Sequence, residues 1–182
     1  MACLLPEREI EQPEGVLASF EPHQSKTEAA SWERKSYRFK PLATFTIRGR
    51  VLLTDRYWIG READLSPLDL TLGWGHMSSN TMLRQFEIYR GHRCYYWKAK
   101  TGTAPLPTLE VVTHTANIHL IPADDSLNKP LKALHPGSLV EMGGFLVEVT
   151  GADGWTWRSS LTRDDSGPGA CEVMWVEWMR TG

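Results

Sequence analysis

The sequence predicts a mainly β fold, a small closed or partly open OB-like barrel of seven or eight strands with two or three short helices. Three observations support this prediction. Apolar and polar residues alternate in several segments, as they do in half-buried strands. Long stretches of helical periodicity are lacking, and glycines interrupt the extended segments, which favours strongly bent strands. The length of 182 residues suits a single domain.

Two regions of different composition divide the chain. Residues 1–36 carry few large apolar side chains, and Pro6, Pro13 and Pro22 interrupt any helix there. We therefore expect an acidic, flexible N-terminal arm over residues 1–36. A single β-barrel domain is expected over residues 37–182.

The first strand is predicted over residues 43–53, where apolar and polar side chains alternate on either side of Gly49. Gly49 itself is expected to mark a bulge or a close approach of backbones. The side chains predicted to face the core are Phe45, Ile47, Val51 and Leu53, and those predicted to face outward are Thr44, Thr46, Arg48 and Arg50.

Two short helices are predicted next. Ser66 is a suitable N-cap and Pro67 suits the first helical position, so a helix is expected from there to Gly73. The polar residues 78–80 are suited to cap a second helix over residues 81–85.

The middle of the chain is predicted to be mostly extended. A hairpin is expected over residues 86–98, with a glycine-containing loop at residues 90–92. Two further strands are predicted over residues 108–114 and 115–121. A turn of helix is expected over residues 127–134.

The C-terminal part is predicted to contain three strands. The first, over residues 139–149, is long and bent, because the glycine pair at 143–144 allows it to coil sharply. A tight turn at residues 151–154 leads to a return strand over residues 155–160. The last strand is expected over residues 171–179.

Charge is distributed unevenly although the net charge is only −2. Residues 1–33 hold seven acids and two bases, residues 34–104 hold five acids and thirteen bases, and residues 105–182 hold ten acids and five bases. The central zone also holds eleven of the eighteen aromatic side chains. Bases interleaved with rings suit a polyanion such as single-stranded nucleic acid, whereas the overall balance excludes a histone-like basic protein.

The leading functional hypothesis is therefore a non-enzymatic binding module that presents a basic-aromatic surface to a polyanion. The predicted surface residues are Arg48, Arg50, Arg90, Arg93, Tyr95, Trp97 and Lys98. The alternative interpretation is an ordinary solvent face of strands whose other face is aromatic core. The acidic arm is expected to fold back over this zone and to compete with the ligand.

Three polar clusters form a second set of candidate binding residues. Their members are His76 and Ser78, then Asn117 and His119, then Arg158, Ser160 and Arg163. On a strand, Thr115 shares a face with the second cluster, and this face is suited to line a groove. Arginines beside hydroxyls suit a phosphate or carboxylate. The alternatives are a helix cap at residues 76–79, an ordinary solvent face at the second cluster, and a solvated hairpin loop whose ions pair among themselves at the third.

A small hydrolase or transferase is a further alternative. Cys171 or Ser160 would act as the nucleophile with His119 as the base, although Cys171 equally suits a core position. No metal or cofactor is expected, because CxxC pairs, glycine-rich phosphate loops and the usual zinc spacings are lacking. The chain has three cysteines, and a disulfide between Cys94 and Cys171 stays open.

Eight tryptophans support one more alternative, a protein-interaction or envelope-associated structural domain. No transmembrane segment is visible in the chain as given, so a soluble protein is expected. The odd number of cysteines favours the cytoplasm. Ala2 and Cys3 resemble the stub of a bacterial lipoprotein cleavage site, which leaves the periplasm or a lipid anchor as the alternative.

Overall fold

The computed structural model describes residues 9–164 and 169–182, and it is mainly β, with 46% strand and 16% helix. The mainly β prediction is confirmed. The strands are β1 (His23–Lys26), β2 (Trp32–Arg34), β3 (Tyr37–Arg56), β4 (Leu68–Gly73), β5 (Phe86–Gly91), β6 (Cys94–Ala99), β7 (Thr115–Pro122), β8 (Leu139–Gly151), β9 (Thr156–Arg158) and β10 (Glu172–Thr181). The helices are α1 (Arg61–Leu65), α2 (Asn80–Leu83), α3 (Thr108–Thr113) and α4 (Asn128–Lys132), with 3₁₀ turns at Gly75–Ser78 and Asp125–Leu127.

Within this described part of the chain, five strands close a ring in the order β3, β4, β7, β10, β8 and back to β3. β7 and β10 pair in parallel, and the other pairs of the ring are antiparallel. β1 and β2 pair with β3, and β9 pairs with β8. These strands make one eight-stranded sheet. β5 and β6 form a separate two-stranded hairpin.

β3 is 20 residues long and carries the alternation expected for a half-buried strand. Phe45 and Ile47 are buried in the core of the ring. Arg50 was expected to face outward, but it is buried and donates to Ser78 O at 3.2 Å and to Asn80 Oδ1. Arg50 shares the outer face of β3 with Arg48 and is buried because the 3₁₀ turn and α2 cover this part of that face.

β4 and β7 form the most enclosed side of the ring, since every residue of both strands is buried. Leu70 and Ile118 are among the core residues of these strands. The helix predicted from Ser66 to Gly73 is therefore wrong, and α1 lies just before it. Periodicity alone does not separate a short, fully buried strand from a helix, and the position between β3 and β7 decides the outcome.

Residues 108–113 form α3 where a strand was predicted. β-branched side chains in this segment favour a strand. In the structure Thr113 Oγ1 donates back to Leu109 O at 2.8 Å. Val111 is fully buried in an apolar cluster with Met77 and Phe86. Tertiary packing thus outweighs the local preference.

The glycine pair of β8, where the sequence predicts a sharp bend, lies where β8 pairs with β10. A Cβ on Gly143 would lie 2.3 Å from the Trp178 ring, and one on Gly144 would lie 2.0 Å from Trp175 O. The pairing register also shifts between Val176 and Trp178. Only residues without side chains allow the two strands to approach this closely.

Residues 9–36 pack against the ring, although the sequence indicates a flexible arm there. The Ile10 N–H donates to Pro136 O at 2.8 Å. Ala18 is fully buried in the core of the ring, and β1 and β2 add to its sheet. Backbone pairing with β3 therefore brings residues before Tyr37, the predicted start of the domain, into the same sheet, and residues 1–8 of the predicted arm lie outside the described residues.

Candidate functional site

A pocket of about 780 Å³ lies between the β5–β6 hairpin and the part of the large sheet formed by β7, β9 and the start of β10. This volume is in the range of small-molecule sites. Its wall includes the rings of Tyr89, Tyr95, Tyr96, Trp97 and Trp157, the basic groups of Arg93, Arg158, Arg163, His92 and His119, and the thiols of Cys94 and Cys171.

One face of β7 forms the floor of the pocket. Thr115, Asn117 and His119 alternate along the strand and line the pocket, whereas Ile118 points into the core. The Asn117 Nδ2 group donates to Arg93 O at 3.0 Å. This bond attaches the tip of the hairpin to the floor.

Asp69 on β4 is a buried carboxylate that holds two basic side chains at the pocket wall. Arg93 donates to it from Nη2 at 2.7 Å and from Nε at 3.2 Å, and Ser66 Oγ donates at 3.3 Å. His119 Nδ1 lies 2.9 Å from Asp69 Oδ2, an ion-pair distance without hydrogen-bond alignment. The Trp157 ring lies 4.9 Å from the His119 ring and 5.4 Å from Arg93 Cζ.

Tyr95 and Trp97 place two rings of β6 in the wall. The Tyr95 hydroxyl is hydrogen-bonded with the Thr115 hydroxyl. Burial raises the pKa of Tyr95 by more than this bond lowers it, so the phenol is neutral. Trp97 packs edge-on against Phe86 with 5.5 Å between ring centroids, which fixes the orientation of its indole.

The two thiols of the pocket lie close together. Cys94 Sγ and Cys171 Sγ are 3.6 Å apart, and both cysteines are free. Asn117 Nδ2 lies 3.6 Å from Cys171 Sγ. Burial, together with the neighbouring Cys94 thiol, raises the pKa of Cys171 well above its usual range. Cys171 is therefore a protonated thiol at neutral pH.

Two further arginines lie on the opposite side of the pocket. Arg158 donates from Nη1 to Glu148 at 2.6 Å, and Arg163 donates from Nη1 to Glu172 at 2.6 Å. Each has one hydrogen bond to the described residues, and a guanidinium carries five N–H groups. Both arginines therefore retain donors for a further acceptor.

The predicted basic-aromatic surface is divided in the structure. Arg93, Tyr95 and Trp97 line the pocket. The other four predicted residues, Arg48, Arg50, Arg90 and Lys98, do not line it.

Three of those four have local acidic or polar partners, and Arg48 is exposed on β3. Arg90 pairs with Asp55 at 3.1 Å, and Lys98 pairs with Glu87 at 3.1 Å. Arg50 is buried against α2, as described above. The seven side chains thus do not form one continuous surface.

Two of the three polar clusters meet at the pocket. Its lining contains Asn117 and His119 from the second cluster and Arg158 and Arg163 from the third. Ser160 from the third cluster is buried outside the lining, and its Oγ accepts from the Thr162 N–H at 3.1 Å.

The first cluster lies elsewhere and has structural partners. His76 Nδ1 lies 2.8 Å from Glu110 Oε1. Ser78 Oγ accepts from the backbone N–H groups of Leu17 and Ala18 at 3.0 and 3.1 Å. Instead of capping α2, Ser78 attaches the N-terminal segment.

The acidic N-terminal segment reaches the basic central zone without covering the pocket. Among the described residues, Glu9 pairs with Arg50 at 3.5 Å and Glu14 pairs with Arg84 at 2.8 Å. Glu21 Oε1 also lies 3.1 Å from His114 Nε2, just beyond the central zone. None of these six residues lines the pocket.

The alternative catalytic pair is not assembled. Cys171 and His119 both line the pocket, but the thiol contacts Cys94, Asn117 and Arg93 O, and His119 contacts Asp69. A protonated thiol without a histidine partner is a poor nucleophile. The described contacts therefore support binding better than they support nucleophilic catalysis.

Sequence reasoning did not assign Cys94, Glu62 or Glu172 to a site. The sequence does contain a signal for Cys94, because it lies between Arg93 and Tyr95, two residues of the predicted binding surface. Glu172 ends the polar stretch that begins at Arg158, whose ions are expected to pair among themselves if it is a solvated loop, and it pairs with Arg163 at 2.6 Å.

Within residues 9–164 and 169–182, no cluster of three or more histidine, cysteine or acidic side chains is arranged to bind a metal ion. The same part of the chain has no helix with the length and apolarity needed to cross a membrane. The chain matches no protein-family model, no curated protein and no solved structure. The function must therefore be argued from the chemistry of the pocket.

Proposed function

We propose that this chain is a non-enzymatic binding module whose pocket takes a small ligand with an aromatic ring and one acidic group. The observation that carries the proposal is the meeting of aromatic rings and arginine donors around one pocket of about 780 Å³. We also propose that the five-stranded ring is an OB-like barrel, with the hairpin and β9 as the walls of its ligand site.

The rings support an aromatic ligand. Trp157 and Tyr95 stand on two different elements that face the same space. Flat aromatic ligands are held well between such side chains, since stacking adds to the burial of apolar area. The neutral phenol of Tyr95 donates to the Thr115 hydroxyl, whose own proton goes to Val111 O, so its oxygen can still accept a hydrogen bond from the ligand.

The arginines support one acidic group on the ligand. Arg158 is half exposed at the pocket, whereas Arg163 is less exposed. Hydrogen bonds from a guanidinium to a carboxylate, phosphate or sulfonate are among the stronger polar contacts in proteins. The unused N–H groups of both side chains can supply them.

The local acids make a polyanion a less suitable ligand than a monoanion. Arg93, Arg158 and Arg163 each pair with a carboxylate, so the pocket has little excess positive charge. Nucleic-acid affinity depends on neutralising many phosphates. A single-stranded nucleic acid therefore remains as the alternative that the binding experiment includes.

The test uses anilinonaphthalenesulfonate, an aromatic sulfonate that becomes fluorescent in apolar sites. We expect saturable binding that Arg158→Gln weakens about tenfold, the effect of losing one charged hydrogen bond. The matched control is Arg48→Gln, which removes an exposed arginine outside the pocket and should leave the affinity unchanged. Circular dichroism of each variant verifies the fold.

Two outcomes would contradict the pocket proposal. One is equal weakening by Arg48→Gln and Arg158→Gln, which would indicate a diffuse basic surface. The other is tight binding of a single-stranded oligothymidylate together with no sulfonate binding, which would favour the nucleic-acid alternative.

A protein-interaction module is the second candidate, because two neighbouring apolar side chains lie almost fully in solvent. Trp58 is 81% exposed and Ile59 is 93% exposed. Adjacent large apolar groups on a surface loop are typical of partner sites. Sedimentation velocity over a concentration series distinguishes this candidate from the pocket proposal.

A further inference from the structure

Cys94 and Cys171 belong to two parts of the molecule that share no backbone pairing. Cys94 begins β6 in the separate hairpin, and Cys171 immediately precedes β10 of the ring. Their sulfur atoms nevertheless lie 3.6 Å apart, and both residues line the pocket.

We propose that Cys94 and Cys171 form a reversible disulfide that ties the hairpin to the ring and makes ligand binding in the pocket depend on redox state. The second part of this statement rests on the proposed binding function. The first part stands on the geometry of the two thiols alone.

The turn before Cys94 and its contacts hold Cys94 opposite Cys171. His92 and Arg93 have positive φ angles of 52° and 60° and form the tight turn that leads into Cys94. Arg93 is fixed from both ends, since Asp69 binds its guanidinium and Asn117 binds its carbonyl oxygen. Cys94 is thus placed opposite Cys171 by a rigid turn.

Closing the bond needs a small movement. An S–S bond of about 2.05 Å requires the sulfur atoms to approach by about 1.5 Å, which side-chain rotation of two partly exposed residues can supply. The described residues add no third ligand to the two thiols, so a disulfide suits the pair better than a metal ion.

Hydrogen peroxide is a suitable oxidant class, and the reaction balances in two steps. Cys94 attacks one peroxide oxygen, which gives a sulfenic acid on Cys94 and releases one water. The Cys171 sulfur then attacks the Cys94 sulfur, and the second water leaves with the Cys171 proton. Two thiols lose two electrons and two protons, and peroxide is reduced to two waters. Dithiothreitol reverses the change by thiol–disulfide exchange.

The second step follows from the contact between the two sulfur atoms, which lie 3.6 Å apart. Cys171 acts as the resolving thiol and loses its proton as its sulfur attacks the sulfenic acid. Oxidation removes both S–H groups from the pocket wall and fixes the hairpin to the start of β10.

The experiment uses the full chain, reduced with dithiothreitol, freed of reductant and treated with hydrogen peroxide. Intact-mass spectrometry should show a product about 2 Da lighter, and peptide mapping should join the Cys94 and Cys171 peptides. Cys3→Ser is the matched control and should form the same product. Cys94→Ser and Cys171→Ser should not.

Binding of anilinonaphthalenesulfonate is then measured for the reduced and oxidised wild-type chain. We expect the dissociation constant to change at least threefold on oxidation and to return to the value of the reduced chain after treatment with dithiothreitol. No mass loss, or only overoxidised thiols, would overturn the disulfide while leaving the binding proposal intact. A mapped disulfide with no sulfonate binding in either state would instead reject the proposed function.

Discussion

Asp69 shows how one buried charge organises the pocket wall. The carboxylate is almost fully buried, and Arg93 and His119 both lie within ion-pair distance. A buried charge is tolerated when it is paired and hydrogen-bonded. The Ser66 hydroxyl completes this pairing. Asp69 thus joins the tip of the hairpin, through its side chain, to the backbone-paired strands β4 and β7.

Asp69→Ala should lower the free energy of unfolding by about 3–5 kcal/mol, because it leaves the Arg93 guanidinium without its buried partner. Urea denaturation followed by tryptophan fluorescence measures this loss. The control is Glu148→Ala, which breaks the more exposed pair with Arg158 and should cost less than about 1 kcal/mol. Equal losses in the two variants would contradict a special role for Asp69.

One side chain of the 3₁₀ turn binds the backbone of the N-terminal segment at two adjacent residues. Ser78 accepts two backbone N–H groups from Leu17 and Ala18 and donates to Gly75 O at 2.8 Å. Its neighbour Ser79 makes no side-chain cap bond to α2. The two adjacent serines therefore have different roles despite their identical chemistry.

Ser78→Ala should destabilise the chain by about 1–3 kcal/mol, the cost of leaving buried N–H groups without an acceptor. Amide hydrogen exchange at Leu17 and Ala18 should accelerate. Ser79→Ala serves as the control and should leave exchange at both amides unchanged. Unchanged exchange in Ser78→Ala would show that the ion pairs and β1 hold the segment by themselves.

The elements divide into those that local patterns predict and those that packing decides. The hairpin follows from two alternating runs around a glycine-containing loop, and β8 follows from its apolar run with a glycine pair. β4 and α3 were assigned to the wrong class, because burial on both faces of β4 and the packing of Val111 are properties of the assembled molecule. The burial of Arg50 was not predicted for the same reason, since the 3₁₀ turn that covers its side chain lies 25 or more residues further along the chain.

The candidate site was predictable only within single elements. The shared face of Thr115, Asn117 and His119 follows from strand alternation. Their meeting with Arg93 and Cys171 depends on the hairpin folding across β7. Such contacts between distant segments leave no periodic trace in a sequence.

At the scale of the whole molecule, three partly buried weak acids contribute to the response of stability to alkaline pH. Burial is the largest cause of the raised pKa values of Tyr57, Tyr95 and Cys171, and the hydrogen bond to Asp55 adds to the effect at Tyr57. The unfolded chain releases these protons near its ordinary values of about 8.5 for cysteine and about 10 for tyrosine. Above those values the folded state holds more protons than the unfolded state.

Stability should therefore be constant near neutral pH and fall as pH rises from about 8 towards about 11. Guanidinium denaturation at several pH values measures this slope. Tyr57→Phe should make the fall shallower, because it removes one of the three groups. Tyr89→Phe, at a largely exposed position, is the control and should keep the wild-type slope. A slope that is the same in all three chains would contradict this account.

The order of strands in the ring has a consequence for synthesis on the ribosome. β3 emerges early, but its partner β8 follows roughly a hundred residues later, and β10, which joins β7 to β8, follows every other strand of the ring. Until β8 has been synthesised, one edge of the nascent β3 has no permanent neighbour, and unpaired edges are sites of misassociation. The long strand that organises the finished molecule is thus the segment most in need of protection while the polypeptide is still being made.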